Sequence, residues 1–433
     1  MNSRTEALKP EPVSGTLYPV PGLAGQCAIS KQTKVAKRLP SAANAMLSML
    51  DHIIEGRIII TLPDGRQHSC GRQESGPIID MSIHDWRVFG EIIARGDIGA
   101  AECFIDGLWS TDSLPELLTL FAQNRQVLEN AIHGRRWKLL GAWVLHHLRA
   151  NTRRGSKRNI MAHYDLGNDF YRLWLDDTMT YSSALFAEHT HPDAAQWGDL
   201  PSAQRAKNDR MIRALNLQPG DRVLEVGCGW GGFAEQAALC GVHVTGLTLS
   251  PAQRAFAQAR AEHGGWQDSA DFQLMDYRDM RGQFDQIVSV EMFEAVGERW
   301  WPTYFSTLKR LLKPSGRAVI QVITIDDRLF HQYRRSTDFI QRHVFPGGML
   351  PSPHIFCSQA VRAGFTVTDD LAFGPHYART LELWHKCFND RLNEVRAQKF
   401  DDRFIRLWRF YLAYCEAGFR AGSVDVHQYT LQT

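Results

Sequence analysis

The stretch Asp221-Arg-Val-Leu-Glu-Val226, followed at once by Gly227-Cys-Gly-Trp-Gly-Gly232, limits what this chain can fold into more than any other segment. A short apolar run ending at glycine reads as a buried strand. Glycines at 227, 229 and 231 then read as a tight loop into a helix, because glycine adopts backbone conformations closed to other residues and lets a ligand approach the main chain at a helix N-terminus. The alternation continues. A helix runs to Cys240, a strand covers Val242–Leu247, a helix Pro251–Glu262, and strands Asp271–Met275 and Phe284–Val290. Helix Trp301–Leu312 then leads through Lys313-Pro-Ser-Gly316 to strand Arg317–Ile323. Strands and helices alternating at these spacings imply an α/β fold, a Rossmann-like doubly wound parallel sheet with its ligand site at the carboxyl ends of the strands. The remainder, to about residue 420, reads as helical additions with a strand near Phe365–Val367.

Upstream, the pattern differs. Gly56 to Gly65 reads as a strand entering an Asp64-Gly65 hairpin turn, and Trp86–Gly96 and Ser113–Glu129 have helical periodicity. Residues 41–150 are therefore expected to form a small N-terminal α+β domain that recognises lipid or substrate, and residues 151–433 a second domain. Residues 1–40, with five prolines and the cations Lys31, Lys34, Lys37 and Arg38, read as a flexible leader. Two further basic clusters stand out: Arg135, Arg136 and Lys138 beside Trp137, and Arg153, Arg154, Lys157 and Arg158. Such clusters are solvated faces or patches for anionic lipid head groups.

Forty-nine basic residues against 47 acidic ones leave a net charge of +2, which argues against a dedicated nucleic-acid binder. No apolar run approaches the ~20 residues that span a bilayer, and residues 1–40 contain no apolar core of a secretory signal. The eight cysteines are scattered without a CxxC pair, so they read as free thiols of a reducing, cytoplasmic compartment and offer no metal site.

The glycine loop alone suits both a nicotinamide dinucleotide and S-adenosylmethionine, since Gly232 also completes the dinucleotide spacing. The surroundings favour S-adenosylmethionine without closing the alternative. The second strand ends in Gly246-Leu-Thr-Leu-Ser250, with no carboxylate for a dinucleotide ribose. Glu225 precedes the loop, where an acid suits the amino-acid part of S-adenosylmethionine and meets no partner in a pyrophosphate. Asp276 and Tyr277 end the third strand, where a carboxylate accepts from an adenine amino group and a ring stacks.

His163-Tyr-Asp-Leu-Gly-Asn-Asp-Phe-Tyr171 and Met179-Thr-Tyr-Ser-Ser183 resemble the entry segment of the cyclopropane-fatty-acyl-phospholipid synthases and mycolic acid cyclopropane synthases. Leu224–Gly231, Gly246–Gln253, Asp276–Asp279, Met292-Phe-Glu-Ala-Val-Gly297, Phe345-Pro-Gly-Gly348 and Gly374-Pro-His-Tyr-Ala378 continue the resemblance in order. It covers roughly residues 155–425 and matches the N-terminal module only loosely. It implies the fold of class I methyltransferases and a reaction on the double bond of an unsaturated phospholipid acyl chain at the membrane surface. The enzyme would lie at the inner face of the membrane, with a homodimer left open as its assembly. Attack of the alkene on the sulfonium methyl makes a carbocation, and a base then removes a proton so that a ring closes. The resemblance implies a bound bicarbonate ion as that base, and no metal.

Carried over by position, Tyr181 and Ser182 touch the cofactor, and Glu225, Gly227, Gly229 and Gly231 wrap its amino-acid and ribose parts. Thr248, Leu249 and Gln253 serve the ribose, and Asp276, Tyr277 and Arg278 frame the adenine. Glu294, Tyr377 and the backbone of Ile323 match the bicarbonate site. Cys415 matches a cysteine once assigned as a nucleophile in the family, but a buried structural thiol is the simpler reading. Two positions depart from the family. Ser183 replaces a cysteine, a mild change if only its N–H is used; Gln321 replaces a histidine and cannot carry charge or shuttle a proton. The anion is then held more weakly, replaced, or absent. The leading expectation is a cyclopropane product, with methyl- or methylene-branching as the close alternative. A small-molecule methyltransferase, a non-catalytic lipid-binding protein and a nicotinamide oxidoreductase follow in that order.

Overall fold

Alternating residues of the central strands divide between two apolar clusters. Val223 and Val319 pack on one side with Phe233, Ala257 and Phe272, while Leu224, Ala318 and Ile320 pack on the other with Trp301, Tyr304 and Phe356. This is what a sheet covered on both faces requires, since successive side chains point to opposite sides. The structure is a computed structural model that describes residues 38–71, 77–126, 128, 166–187 and 191–433, of which Pro40–Thr433 form one compact unit. The expected leader lies almost wholly outside the described residues. So do the basic clusters around Arg135 and Arg153 and the start of the entry segment, His163–Asp165.

A four-stranded sheet comes first. Its strands β1 (Arg57–Thr61), β2 (Gln67–Cys70), β3 (Ile78–Ile83) and β4 (Trp109–Ser110) are ordered β2-β1-β3-β4. Helices α1 (Ser41–Leu50), α2 (Arg87–Ile105) and α3 (Leu114–Gln123) accompany it. The helix expected to end at Gly96 does break there, where Gly96 takes a positive φ of 59° and leaves the helical conformation, and a second helical segment continues to Ile105.

The large sheet contains β5 (Arg222–Val226), β6 (His243–Thr248), β7 (Ala270–Leu274), β8 (Phe284–Val290), β9 (Leu312–Ile325), β10 (Thr366–Ala372) and β11 (Val424–Gln432). Its order is β10-β11-β9-β8-β5-β6-β7. Helices α4 (Leu200–Leu215), α5 (Gly232–Ala238), α6 (Pro251–Gly264), α7 (Trp301–Leu311), α8 (Gly374–Asp390) and α9 (Asp402–Arg420) complete the layers. The five strands β5 to β9 pair in parallel, as the sequence predicts. The sheet is mixed, however, because β11 runs antiparallel between β9 and β10. That strand escapes the sequence reading because it hides polar residues: His427, Gln428 and Thr430 are all buried. Strand order reverses at β5, whose neighbours are β6 and β8, and this opens the ligand crevice above their carboxyl ends.

Helix α9 ties the smaller sheet to that crevice. Phe410 packs on Phe104, Arg406 donates to the Ile105 carbonyl at 2.7 Å, and the Tyr414 hydroxyl donates to Asp97 at 3.1 Å. Beneath β11, Phe356 stacks on Tyr429 with ring centroids 4.5 Å apart and meets Phe293 and Phe305 edge-on. We expect Phe356→Ala to lower the unfolding free energy by about 3–5 kcal/mol in urea titrations. Val361→Ala, on the exposed side of the helix Pro353–Arg362 that carries Phe356, should change it by less than about 0.5 kcal/mol.

Candidate active site

The crevice deepens into a cavity of about 360 Å³ that reaches from the glycine loop to α8 and α9. At the loop, Gly227, Gly229 and Gly231 all have positive φ, of 87°, 50° and 81°. A side chain at Gly227 would strike Met292 at 2.8 Å, whereas one at Gly229 would meet nothing within 4 Å, so that side of the loop stays open to a ligand. Gly231 does not line the cavity; it caps the start of α5. The loop amides of Gly227 and Cys228 donate to the Leu247 carbonyl, which fixes the loop to β6.

Glu225, at the end of β5, is 3 % exposed, and its Oε2 has no hydrogen-bond partner. Burial pushes its carboxyl well above the usual range, while the Lys207 and Arg260 charges and the Ala234 amide oppose the shift. An unpartnered carboxylate oxygen at the glycine loop fits an ammonium group, as the amino-acid end of S-adenosylmethionine would supply. Next along, Thr248 donates to Gln253 Oε1 at 2.8 Å, which orients that amide beside Leu249 in the cavity wall. Asp276 accepts from its neighbour Arg278 through both oxygens, at 2.8 and 2.5 Å, and Tyr277 meets Tyr304 edge-on. The three sets of residues expected to serve the amino acid, ribose and adenine thus lie in sequence along one wall.

The opposite end is built around Glu291, a residue the sequence reading passed over. It follows β8, takes an unusual φ of 48°, and turns its carboxylate into the cavity. Its Oε1 accepts from the Ser183 amide at 2.9 Å and from Gln321 Nε2 at 2.7 Å, and its Oε2 accepts from the Tyr377 hydroxyl at 2.7 Å. Ser183 and Gln321 do not line the cavity and act only through this carboxylate; the Ser183 hydroxyl turns away to the Ala184 carbonyl. Glu294 lies beside it and accepts from the Ile323 amide at 2.5 Å, while its Oε2 has no partner. Every donor expected to hold a bicarbonate ion therefore already has a carboxylate of this chain as its acceptor. Burial raises the Glu291 carboxyl, against its three hydrogen bonds and the Lys207 charge. Burial and the Glu291 charge together push Glu294 up to about 8.

Two more groups escaped the sequence reading. Lys207 is 1 % exposed and donates to the Ser182 hydroxyl at 2.7 Å. Burial lowers its ammonium to about 8, against the pull of Glu291, Asp176 and Glu225. Gln428 on β11 donates to Gln321 Oε1 at 2.9 Å and so turns the Gln321 amide nitrogen toward Glu291. A signal for Lys207 was present: it falls at helical spacing with Leu200, Ala203, Gln204, Asn208, Met211 and Leu215 on the buried face of α4.

Aromatic rings close the cavity. Tyr181 packs against Trp174 and Trp384 at 5.4 and 5.5 Å between centroids, and its hydroxyl meets that of Tyr411 at 2.6 Å. Cys415 lines this wall, and desolvation raises its thiol far above its ordinary range, which disfavours the thiolate.

Residues 151–429 match the family described as mycolic acid cyclopropane synthetase. The chain is 40 % identical over 357 residues to the tuberculostearic acid methyltransferase UfaA1 of Mycobacterium tuberculosis, across 81 % of this chain and 82 % of that protein. It is 33 % identical to the cyclopropane-fatty-acyl-phospholipid synthase of Escherichia coli, across 81 % and 86 % of the two. Among solved structures, mycolic acid cyclopropane synthase CmaA1 complexed with SAH and CTAB superposes with a TM-score of 0.59 at 36 % identity, covering 64 % of this chain and 98 % of that one.

The raised carboxyl of Glu294 has a consequence for stability. The folded chain holds this proton up to about pH 8, whereas an unfolded glutamate releases it near 4.5, so the stabilisation is complete below 4.5 and is lost as pH rises toward 8. Thermal unfolding of the ligand-free protein should therefore show a falling Tm across that window, and Glu294→Gln should make the fall shallower.

Proposed function

This chain belongs to the mycolic acid cyclopropane synthetase family and is an S-adenosylmethionine-dependent methyltransferase; from that premise we propose that it adds one carbon to the double bond of an unsaturated phospholipid acyl chain and forms a methylene branch, with Glu291 as the base. The observation that carries this reading is the convergence of Ser183 N, Gln321 Nε2 and Tyr377 Oη on the Glu291 carboxylate. That carboxylate stands in for the bicarbonate ion that the family resemblance implies.

When bound, S-adenosylmethionine supplies an electrophilic methyl group. The chain's residues do the rest. Glu225 would receive the cofactor's ammonium on its open oxygen, Gln253 and Thr248 the ribose, and the Asp276–Arg278 pair the adenine edge, with Tyr181 and Ser182 closing over them. Alkylation of the alkene leaves a positive charge on the neighbouring carbon of the acyl chain. Tyr181, Tyr377 and Tyr411 line the cavity there, and aromatic faces stabilise a cation while excluding water.

Glu291 is the base for the proton that the added methyl group loses once the charge has moved to the carbon bearing it. Its carboxylate is fixed by three donors and a strained backbone, so it stays at the cavity wall and does not follow the charge. The cation persists long enough for the adjacent hydrogen to migrate with its electron pair, which moves the charge to the carbon bearing the methyl. Loss of a methyl proton to Glu291 places the double bond between that carbon and the added one, and no ring closes. Gln321 strengthens the case, since a neutral amide neither carries charge nor relays the proton. So does the relative at 40 % identity, which is named for methyl transfer and not for a ring.

Lipids modified with a methyl-labelled cofactor, read by mass spectrometry and proton NMR, should show a one-carbon gain and methylene protons. Cyclopropane protons would overturn the product assignment, and no carbon gain on any lipid would overturn the substrate. Glu291→Gln should lower turnover by at least about 100-fold while the cofactor still binds. Glu291→Gly should recover part of its activity with added bicarbonate or formate. Turnover of the unaltered protein should rise with pH, because burial raises the Glu291 carboxyl and only its ionised form accepts the proton.

A further inference from the structure

A second cavity, of about 660 Å³, opens on the far side of Arg278 and carries the opposite charge. Arg281, Arg299 and Arg310 line it together with Trp300, just before α7, and Thr303 on the first turn of that helix. Main-chain carbonyls aim two of these side chains. Arg281 donates to the carbonyls of Arg278 and Met280, and Arg310 donates to that of Met280 at 3.1 Å. The Trp300 ring is flanked by the guanidinium groups of Arg299 and Arg278 at 5.3 and 5.5 Å, and its indole N–H has no partner. Among the described residues, Arg278 is the one arginine of the four in an ion pair, with Asp276. Asp279 adds a single negative charge nearby. In a chain whose net charge is only +2, three guanidinium groups around one cavity are a marked local concentration.

We propose that this cavity seats the phosphate of an anionic lipid head group. Guanidinium forks match phosphate oxygens in geometry as well as charge, and an indole beside them suits the boundary between head groups and acyl chains. Arg281, Arg299 and Arg310 are exposed at the rim, where a bilayer surface can reach them. Arg278 lines both cavities, so an anion held here lies beside the reaction site and not on a remote face. The choice of a lipid phosphate over a free one rests on the proposed phospholipid substrate. No basic run marks this cluster in the sequence, since its members are spread over residues 278–310.

The test is co-sedimentation of the full chain with vesicles of phosphatidylcholine, with and without phosphatidylglycerol. Each cation near an anionic surface contributes about fivefold to partitioning, so Arg281→Gln/Arg299→Gln/Arg310→Gln should weaken binding to the phosphatidylglycerol vesicles at least about tenfold. The single exposed variant Arg299→Gln, which removes no buried contact, should weaken it by about fivefold. Methyl transfer to a detergent-dispersed acyl lipid should survive in both variants. Unchanged vesicle binding would overturn the proposal. Arginine-dependent thermal stabilisation by inorganic phosphate alone would assign the cavity to a free anion and also overturn it. If the unaltered protein transfers no methyl group to any lipid, the reading of the function fails instead, and the vesicle measurement still judges the cavity.

Discussion

The structure depends on keeping one carboxylate, that of Glu291, away from bulk water at the carboxyl end of β8. An uncompensated buried charge costs several kcal/mol or more, so such a group persists only where donors are arranged around it. Here they come from three distant segments: the entry loop through Ser183, β9 through Gln321, and α8 through Tyr377. Each segment is placed by the fold and not by local propensity. The carboxylate therefore specifies how the loop, the sheet and the helical layer must meet.

Behind these contacts, the antiparallel strand β11 acquires a purpose. Val290, Gln321 and Gln428 fall in register across β8, β9 and β11, so the residue preceding Glu291 and the two amides stand in one row. Gln428 accepts from Arg210 at 2.8 Å and donates to Gln321, which leaves the Gln321 nitrogen free to face Glu291. A histidine in place of Gln321 would bring a titratable ring to this row. A glutamine held by a second glutamine brings a donor of fixed sense and no charge. Polar residues buried in β11 are thus the supports of the site, and the same polarity conceals the strand from a reading of hydrophobic pattern.

That contrast explains what was legible in the sequence. The glycine loop and the strands β5 to β9 could be read because backbone conformation and apolar burial leave local patterns, and Glu225, Asp276 and Tyr377 could be read because motifs surround them. Glu291 stands one residue before a recognised motif, Met292 to Gly297, and its role depends on donors more than 25 residues away in the chain. The use of Ser183 was half legible. Ser183 meets Glu291 through its N–H alone, a donor that a cysteine or a serine supplies equally. Lys207 is marked only by its helical spacing with Leu200, Ala203, Met211 and Leu215, and the packing of α4 turns that face inward. Cys415 drew notice by position alone, with a structural thiol as the simpler reading, and desolvation of its thiol agrees with that reading.

The distribution of charge joins these parts into one argument. Among the described residues, the main cavity is lined by five acidic side chains, Glu225, Asp276, Glu291, Glu294 and Asp338, against two basic ones, Lys207 and Arg278, of which Arg278 is paired with Asp276 and the Lys207 ammonium is weakened by burial. In a poorly solvated space such an excess favours cations, and both the sulfonium of the methyl donor and the transient charge on an alkylated alkene are cations. Burial raises both the Glu291 and Glu294 carboxyls, and the Glu291 charge raises Glu294 further. An incoming positive charge favours their ionised forms, and proton acceptance becomes easiest when the site already holds a cation. Beyond Arg278 the sign reverses, with three arginines at the rim. On the proposed reading, an anionic head group would meet the arginines and the cationic centre of the reaction would meet the carboxylates.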